Sequence, residues 1–466
     1  MKAAQATAAQ APPPAPASST PSLPAGDGSL TMYGVTLYGT VDVGLMYQTH
    51  GTPLSPLLST GVEELISKNS NQHYFGLAPS ALGNSKIGLK GAEDLGDFLP
   101  GWQALFKVET AFLPTSGMLS DSVGAVAKND GVPLNQQSSQ ADSSRAGQAF
   151  NQEAYLGIGN KQYGTLTFGR QNSLELDSLI AYDPLSASFA FSVIGYSGTA
   201  GGFGDTQDAR LDNAIKYRLN LDPVRLAALY QFSGNAGEGG RAYEFDLGFD
   251  WNGLSIDALY NNKKDEILAS PLNPTPTGKG VKVVAGDLGY INPDNPLQDG
   301  VLGTLNATIS DNEAESIMAR YTIDQWKFYG AWERIIYSNP SDPIAPGYID
   351  IGGYLISNPS NSAYTNQKML DVYWAGAKVA VTPQLDLMGA WYHYYQHSFK
   401  GNGCSDNSSS ACSGTLDAFS LVADYKLTKR FDIYGGFMYS TVADGLSNGY
   451  LNTDTIDPTI GARFTF

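Results

Sequence analysis

Nowhere in its 466 residues does this chain approach the roughly 20 consecutive apolar residues that a membrane-spanning helix requires. Any membrane reading must therefore rest on strands. Basic residues are outnumbered, 28 Lys and Arg against 45 Asp and Glu, and the net charge of -17 argues against nucleic-acid binding, which needs a basic footprint for the phosphates. The sequence contains no GxSxG, HExxH, Walker or Rossmann fingerprint, so no catalytic site, metal set or cofactor is indicated. Charged residues make up only 16%, whereas 52 Gly, 27 Tyr and 19 Phe are present. Glycine for turns and aromatics for strands favour an all-β protein.

From Tyr33 onward the strands can be read directly. In the stretch from Val35 to Tyr47, Val35, Leu37, Val41, Val43, Leu45 and Tyr47 alternate with positions that include Thr36, Thr40 and Asp42. One face is greasy and the other wet. The pattern returns in Tyr243, Phe245, Leu247 and Phe249 against Glu244, Asp246 and Asp250, and again after the tight Asn252-Gly253 turn in Leu254, Ile256, Ala258 and Tyr260. It ends with Ile460, Ala462, Phe464 and Phe466. Strands over Met369 to Val381 and Leu385 to Tyr395 are expected, with their facing left open. The count comes to about sixteen, and short connections such as Asp324-Gln325 interleave with long ones such as Leu113 to Ala149 and Lys263 to Glu313. An even number of strands joined alternately by short turns and long loops is the signature of an outer-membrane barrel. No linker divides it, so residues 31–466 read as one barrel domain.

Two stretches stand apart. Met1 to Leu30 is rich in Ala, Pro and Ser and lacks an apolar core long enough for a secretory signal. It reads as a disordered, polyproline-leaning tail; either a signal peptide has been removed ahead of it and Met1 is foreign to the mature chain, the reading we favour, or the sequence is truncated there. Asn172 to Gln207, between two strongly alternating segments, reads as neither helix nor strand. Hairpin loops usually need about 2–5 residues, so a connection this long is expected to be a functional element, here one that folds back into the lumen and narrows it.

Several blocks resemble the general trimeric porins of Gram-negative bacteria: Ser85 to Gly96 (SKIGLKGAEDLG), Phe150 to Gly157 (FNQEAYLG), Tyr163 to Gln171 (YGTLTFGRQ), Arg210 to Tyr217 (RLDNAIKY) and Tyr425 to Arg430 (YKLTKR). The resemblance runs from about Tyr33 to the end. It implies a transmembrane, antiparallel, sixteen-stranded β-barrel in the outer membrane, a homotrimer, and a third external loop folded into each pore, here Asn172 to Gln207. Implied partners are two further copies of the chain, outer-membrane lipid and lipopolysaccharide, and the assembly machinery, which in this family reads a C-terminal aromatic, here Phe466. At the narrowing, the family sets wall bases against loop acids. This assigns Lys86 and Arg210 to the wall, Glu175, Asp177 and Asp183 to the loop, and Gln152 to a wall position where the family often has Arg.

Arg170 shares the parity of Leu166 and Phe168, which would turn its charge away from the lumen; we expect it at the trimer contact, paired with a carboxylate of a neighbour's second external loop, Leu113 to Ala149. Cys404 and Cys412 are close in sequence across a polar spacer, and an oxidising exterior favours a loop-closing disulfide. His393 and His397 are too far apart along a strand to share a metal and read as girdle or loop residues. The wet face carries eleven bases and eleven acids, so the net -17 falls to loops, turns and tail. The expected function is passive diffusion of ions and small hydrophilic solutes, with a weak cation preference and no chemical step. Alternatives are a substrate-preferring channel using Tyr182, Tyr196 and Phe203 as a track, or a barrel with a mainly external adhesin or enzymatic role.

Overall fold

A computed structural model describes residues 30–50, 73–115, 149–196, 209–232, 241–264, 311–338, 367–398, 412–447 and 452–466, with a few short pieces between them. Sixteen antiparallel strands close into a ring. They are β1 (Val35–Gln48), β2 (Lys86–Asp94), β3 (Trp102–Ala111), β4 (Glu153–Asn160), β5 (Gly164–Asn172), β6 (Arg210–Asn220), β7 (Val224–Gln231) and β8 (Ala242–Trp251). The ring continues through β9 (Leu254–Lys263), β10 (Asp311–Ile323), β11 (Trp326–Ser338), β12 (Lys368–Ala380), β13 (Leu385–Gln396), β14 (Gly414–Lys426), β15 (Phe431–Asp444) and β16 (Asp454–Thr465). Each pairs with the next, and β16 returns to β1 from Thr40↔Thr465 to Met46↔Thr459. The last residue extends that seam, because Gly39 and Phe466 exchange both backbone hydrogen bonds at 3.0 Å. A Cβ at Gly39 would lie 2.6 Å from the Phe466 ring, so the glycine makes room for the terminal aromatic.

Among the described residues no helix is long and apolar enough to cross a membrane. The strands do so, and their alternation explains how. Phe245, Leu247, Ile317, Leu421 and Ile460 are each more than half exposed on the outside, while the intervening Glu244, Asp246, Ser316 and Ser420 are buried within the ring. Closing the ring leaves no edge, which is the condition for placing backbone amides in hydrocarbon. At the short turn between β8 and β9, Asn252 (φ 46°) and Gly253 (φ 84°) both take the left-handed backbone that a tight two-residue hairpin needs.

The two strands of open facing are resolved by what lies inside them. Val372 and Trp374 of β12, Met388, Tyr392 and Tyr394 of β13, Leu416, Ala418 and Val422 of β14 and Met438 of β15 are buried. They form one apolar cluster with Leu179, Leu185, Phe191, Val193 and Ile194 of the long connection after β5. Away from Lys378 and Asp386 at the short-turn end, both faces of β12 and β13 are apolar because one meets lipid and the other meets that connection.

The wall is interrupted once. β1 pairs with β2 over Val35 to Thr40 and with a short strand, Tyr74–Pro79, over Val43 to Gln48. The six residues between, Ser80 to Ser85, leave the ladder, beginning with Ser80 at φ 61°. A further short strand, Leu30–Met32, pairs with the start of β1.

A cation placed on the outer band tests this assignment. Leu247→Arg, at the middle of β8, is expected to destabilise the barrel by about 2–4 kcal/mol in lipid vesicles, whereas Asp246→Asn beside it carries no lipid penalty. Denaturant unfolding in vesicles gives both values, and a cost for Leu247→Arg no larger than for Asp246→Asn would contradict the outward facing.

Candidate pore constriction

The connection after β5 is not structureless. Leu174–Tyr182 is an α-helix, α1, contrary to the expectation of neither helix nor strand. Ser173 caps it, accepting a hydrogen bond from the Leu176 amide at 3.0 Å, and Glu175 and Asp177 lie in the first turn, where carboxylates favour the helix dipole. Leu174, Leu176, Leu179 and Tyr182 are all buried, which gives a short helix little alternation to read from sequence. A second, four-residue helix, α2, follows at Val193–Tyr196.

This segment is hydrogen-bonded to inward side chains around much of the ring. Lys216 and Arg218 of β6 both donate to Asp177, Lys216 at 3.0 Å. Tyr182 Oη meets Ser255 Oγ of β9 at 2.8 Å, and Arg320 of β10 donates to the Ala181 carbonyl at 3.0 Å. On the far side Trp374 Nε1 donates to the Tyr182 carbonyl at 3.1 Å, Tyr392 Oη to Asp183 at 2.6 Å, and Ser420 Oγ to the Phe191 carbonyl at 2.6 Å. Phe191 also meets the Tyr434 ring edge-on, with centroids 6.2 Å apart.

The three loop acids are therefore anchors, not residues facing a free aperture. Glu175 is buried and accepts from Asn261 Nδ2 at 3.2 Å. Burial opposes the Asp177 charge, but Lys216 and then Arg218 hold its carboxyl well below the usual range. Its contribution to docking is thus present above the usual carboxylate pKa and lost only in strong acid. Burial pushes the Asp183 carboxyl up, against hydrogen bonds from Tyr392 and the Ala187 amide. Its sign is opposite: docking is favoured in acid and weakens as pH rises from the usual carboxylate value through the raised one.

A second element meets the first. Asp42 of β1 is fully buried beneath Ser80 to Ser85 and organises it. Its carboxylate accepts from the Gly83 amide at 2.8 Å and from Tyr434 Oη. Its backbone carbonyl accepts from the Ser80 amide at 2.9 Å, and its own amide donates to Ser85 Oγ at 2.9 Å. The two inward segments are joined where the Ala190 amide donates to the Ala81 carbonyl at 2.9 Å.

Between them and the wall of β1 to β6 and β16 lies a cavity of about 260 Å³. Lys86, Arg210 and Gln152 border it, together with Lys107, Arg463, Glu109 and Glu153. Ser80, Gly83 and Asn84 contribute from one inward segment, Ile180, Ser186 and Phe189 from the other. Glu175, Asp177 and Asp183 are not among its lining. The cavity's acids come from the wall instead: Glu109 pairs with Lys86 at 3.1 Å and with Lys107 at 3.6 Å, and Lys107 also pairs with Glu153. Parity could have found Glu109, which alternates with Trp102, Ala104, Phe106 and Val108. Nothing in the sequence announces the inward turn at Ser80.

Residues 2–445 match the sequence profile of a family described as Gram-negative porin. The chain belongs to that family. An outer membrane porin protein of Bordetella pertussis is 22% identical over 421 residues, covering 87% of this chain and 88% of the relative. The anion-selective porin from Comamonas acidovorans has the same fold with a TM-score of 0.58 at 15% identity, covering 93% of this chain and 99% of that one. OmpT of Vibrio cholerae in its trimer form gives 0.54 at 14% identity, over 93% and 99% of the two chains. The porin is an integral protein of the bacterial outer membrane.

Other expected site residues of this porin are placed differently. Arg170 pairs within its own chain, donating to Asp212 of β6 at 2.6 Å and to the Asn151 carbonyl at 2.8 Å. The cause is a bulge: register shifts between Leu211 and Ala214, Gly169 adopts φ 129°, and Asp212 is thereby brought to the guanidinium. Parity counting cannot anticipate that partner. Tyr182 is locked between Ser255 and Arg225, and offers no face for a solute track. Phe203 and almost all of the second external loop lie outside the described residues, as do Met1 to Ser29 and Cys404. Cys412 is disulfide-bonded, and the sequence holds just one other cysteine, Cys404. His393 meets Asp417 at 2.8 Å and His397 meets Asp371 at 2.6 Å; among the described residues no His, Cys, Asp and Glu cluster as a metal site.

The clamp at Asp42 yields a measurable outcome. Hydrogen bonds to a buried carboxylate are worth about 1.5–3 kcal/mol each, so Asp42→Ala is expected to release Ser80 to Ser85 and widen the cavity. Single-channel conductance and the largest permeating neutral sugar should both rise, with Asp42→Asn in between. Unchanged values in a correctly assembled Asp42→Ala barrel would show that the segment does not depend on the clamp.

Proposed function

We propose that this porin is a passive diffusion channel for ions and small hydrophilic solutes, narrowed by the segment after β5 and carrying out no chemical step. The observation that carries the reading is the eccentric cavity: the inward segment is bonded to Trp374, Tyr392 and Ser420 on one side and leaves a polar, charged gap beside Lys86, Lys107 and Arg210 on the other. Fixed charges of both signs across such a gap orient dipolar solutes. The trimer form of a structural neighbour supports a homotrimer as the working assembly.

For ion choice we propose a weak cation preference with two opposed origins. Of the net -17, the sixteen strands hold 16 bases against 22 acids, and the remaining -11 lies in the segments between them, which concentrates cations at the mouths. At the cavity Lys86, Lys107, Arg210 and Arg463 outnumber Glu109 and Glu153, which favours anions locally. Screening acts more on exposed charge than on the partly buried lining, since the Debye length falls from about 30 Å at 0.01 M salt to about 3 Å at 1 M.

Zero-current potentials across planar bilayers in KCl gradients test this balance. A cation-selective sign is expected in dilute salt, shrinking or reversing as both compartments are concentrated. An anion-selective sign in dilute salt refutes the proposal, and a solute that blocks at micromolar levels would promote a substrate-preferring channel.

A further inference from the structure

At the short-turn end of β10 to β14, the inward face gathers cations that the wall does not neutralise. Lys327 of β11 and Lys378 of β12 stand directly opposite one another in the ladder. Like charges so placed are destabilising. Lys378 and Lys426 both reach one oxygen of Asp386, Oδ2, at 3.0 and 2.9 Å. The Lys327 side chain makes no hydrogen bond or ion pair among the described residues and lies in the field of Arg320, Lys378 and Lys426, with Asp386 opposing. Arg320 is turned to the Ala181 carbonyl and the Tyr182 ring, while Asp424 and Asp432 nearby are engaged by Arg463. Counting Arg320 and Arg463 with the three lysines against Asp386, Asp424 and Asp432 leaves two positive charges on this patch.

We propose that Lys327, Lys378 and Lys426 form a docking site for small dianions, separate from the constriction. Short turns face the periplasm in such barrels, so the site lies in the periplasmic vestibule. A solute with two negatively charged oxygens, a dicarboxylate or a phosphate, matches the residual charge and relieves the Lys327–Lys378 repulsion while bound. A basic patch inside a low-dielectric wall raises the local concentration of such solutes. The site adds to a weak overall ion preference a local affinity for multiply charged anions, and it rests on the channel reading above.

The full chain, reconstituted in planar bilayers in KCl, is exposed to succinate or inorganic phosphate in each compartment in turn. We expect current reduction at roughly tenfold lower concentration from one side than from the other. In the Lys327→Gln/Lys378→Gln variant the effective concentration should rise roughly tenfold, with conductance in KCl alone little changed. A response to succinate alone, to phosphate alone or to both supports the site and identifies its ligand. Equal sensitivity from the two sides, or a double variant that responds like the parent, overturns it. Line broadening of the phosphorus-31 signal of phosphate by the micellar protein, lost in the double variant, reads the site without current. A parent that passes no current in KCl but broadens that signal would thus sink the diffusion reading and leave the site standing.

Discussion

Hydrocarbon offers backbone amides no hydrogen-bond partner, and every other feature of this chain follows from satisfying that condition with strands. The ring closes only if the first and last strands meet. They do so through Thr40 to Met46 against Thr459 to Thr465, extended by the Gly39 and Phe466 amides. Once the ring is closed, alternation sends one set of side chains to lipid and the other inward. An opening bounded by sixteen strands is too wide to be filled by wall side chains alone. Something else must occupy it, and the segment after β5 does.

Occupation needs both chemistries at once. Polar anchors fix the direction of the segment: Asp177 on Lys216 and Arg218, Asp183 on Tyr392, backbone carbonyls on Arg320, Trp374 and Ser420. Apolar contacts hold it against one side of the wall, with Leu179, Leu185, Phe191, Val193 and Ile194 packed on β12 to β15. Full burial of each such side chain contributes about 1.5–3 kcal/mol. The remaining opening is displaced toward β1 to β6, where Ser80 to Ser85 meets the tip of the segment at Ala81 and Ala190. Two inward folds, one between β1 and β2 and one after β5, therefore share one border.

The strand count, the ring and the outward band were legible because lipid on one side and polar groups on the other imprint a period of two, as in Tyr243 to Trp251. Lys86, Gln152 and Arg210 could be assigned because resemblance fixed their blocks. Legibility fails where the inner face is not polar: Trp374 and Tyr392 look like lipid-facing residues until their partners in the lumen are known. It also fails at bulges, since one extra residue near Asp212 and Asn213 rearranges what Arg170 can reach. The loop acids Glu175, Asp177 and Asp183 were recognisable as charges, but whether a charge borders water or anchors a turn depends on contacts tens to hundreds of residues away. The Ser80 excursion has no local signal at all, because the carboxylate that holds it belongs to another strand.

The two-sided greasiness of β12 and β13 reaches beyond the finished pore. A strand with one polar face carries its own instruction for which way to turn, and a slip of one residue is punished at once. β12 and β13 carry that instruction only at their short-turn ends, in Lys378 and Asp386, and over the rest it is Phe191, Val193 and Ile194 that distinguish the inner side. The segment after β5 thus marks which face of these two strands lies inward.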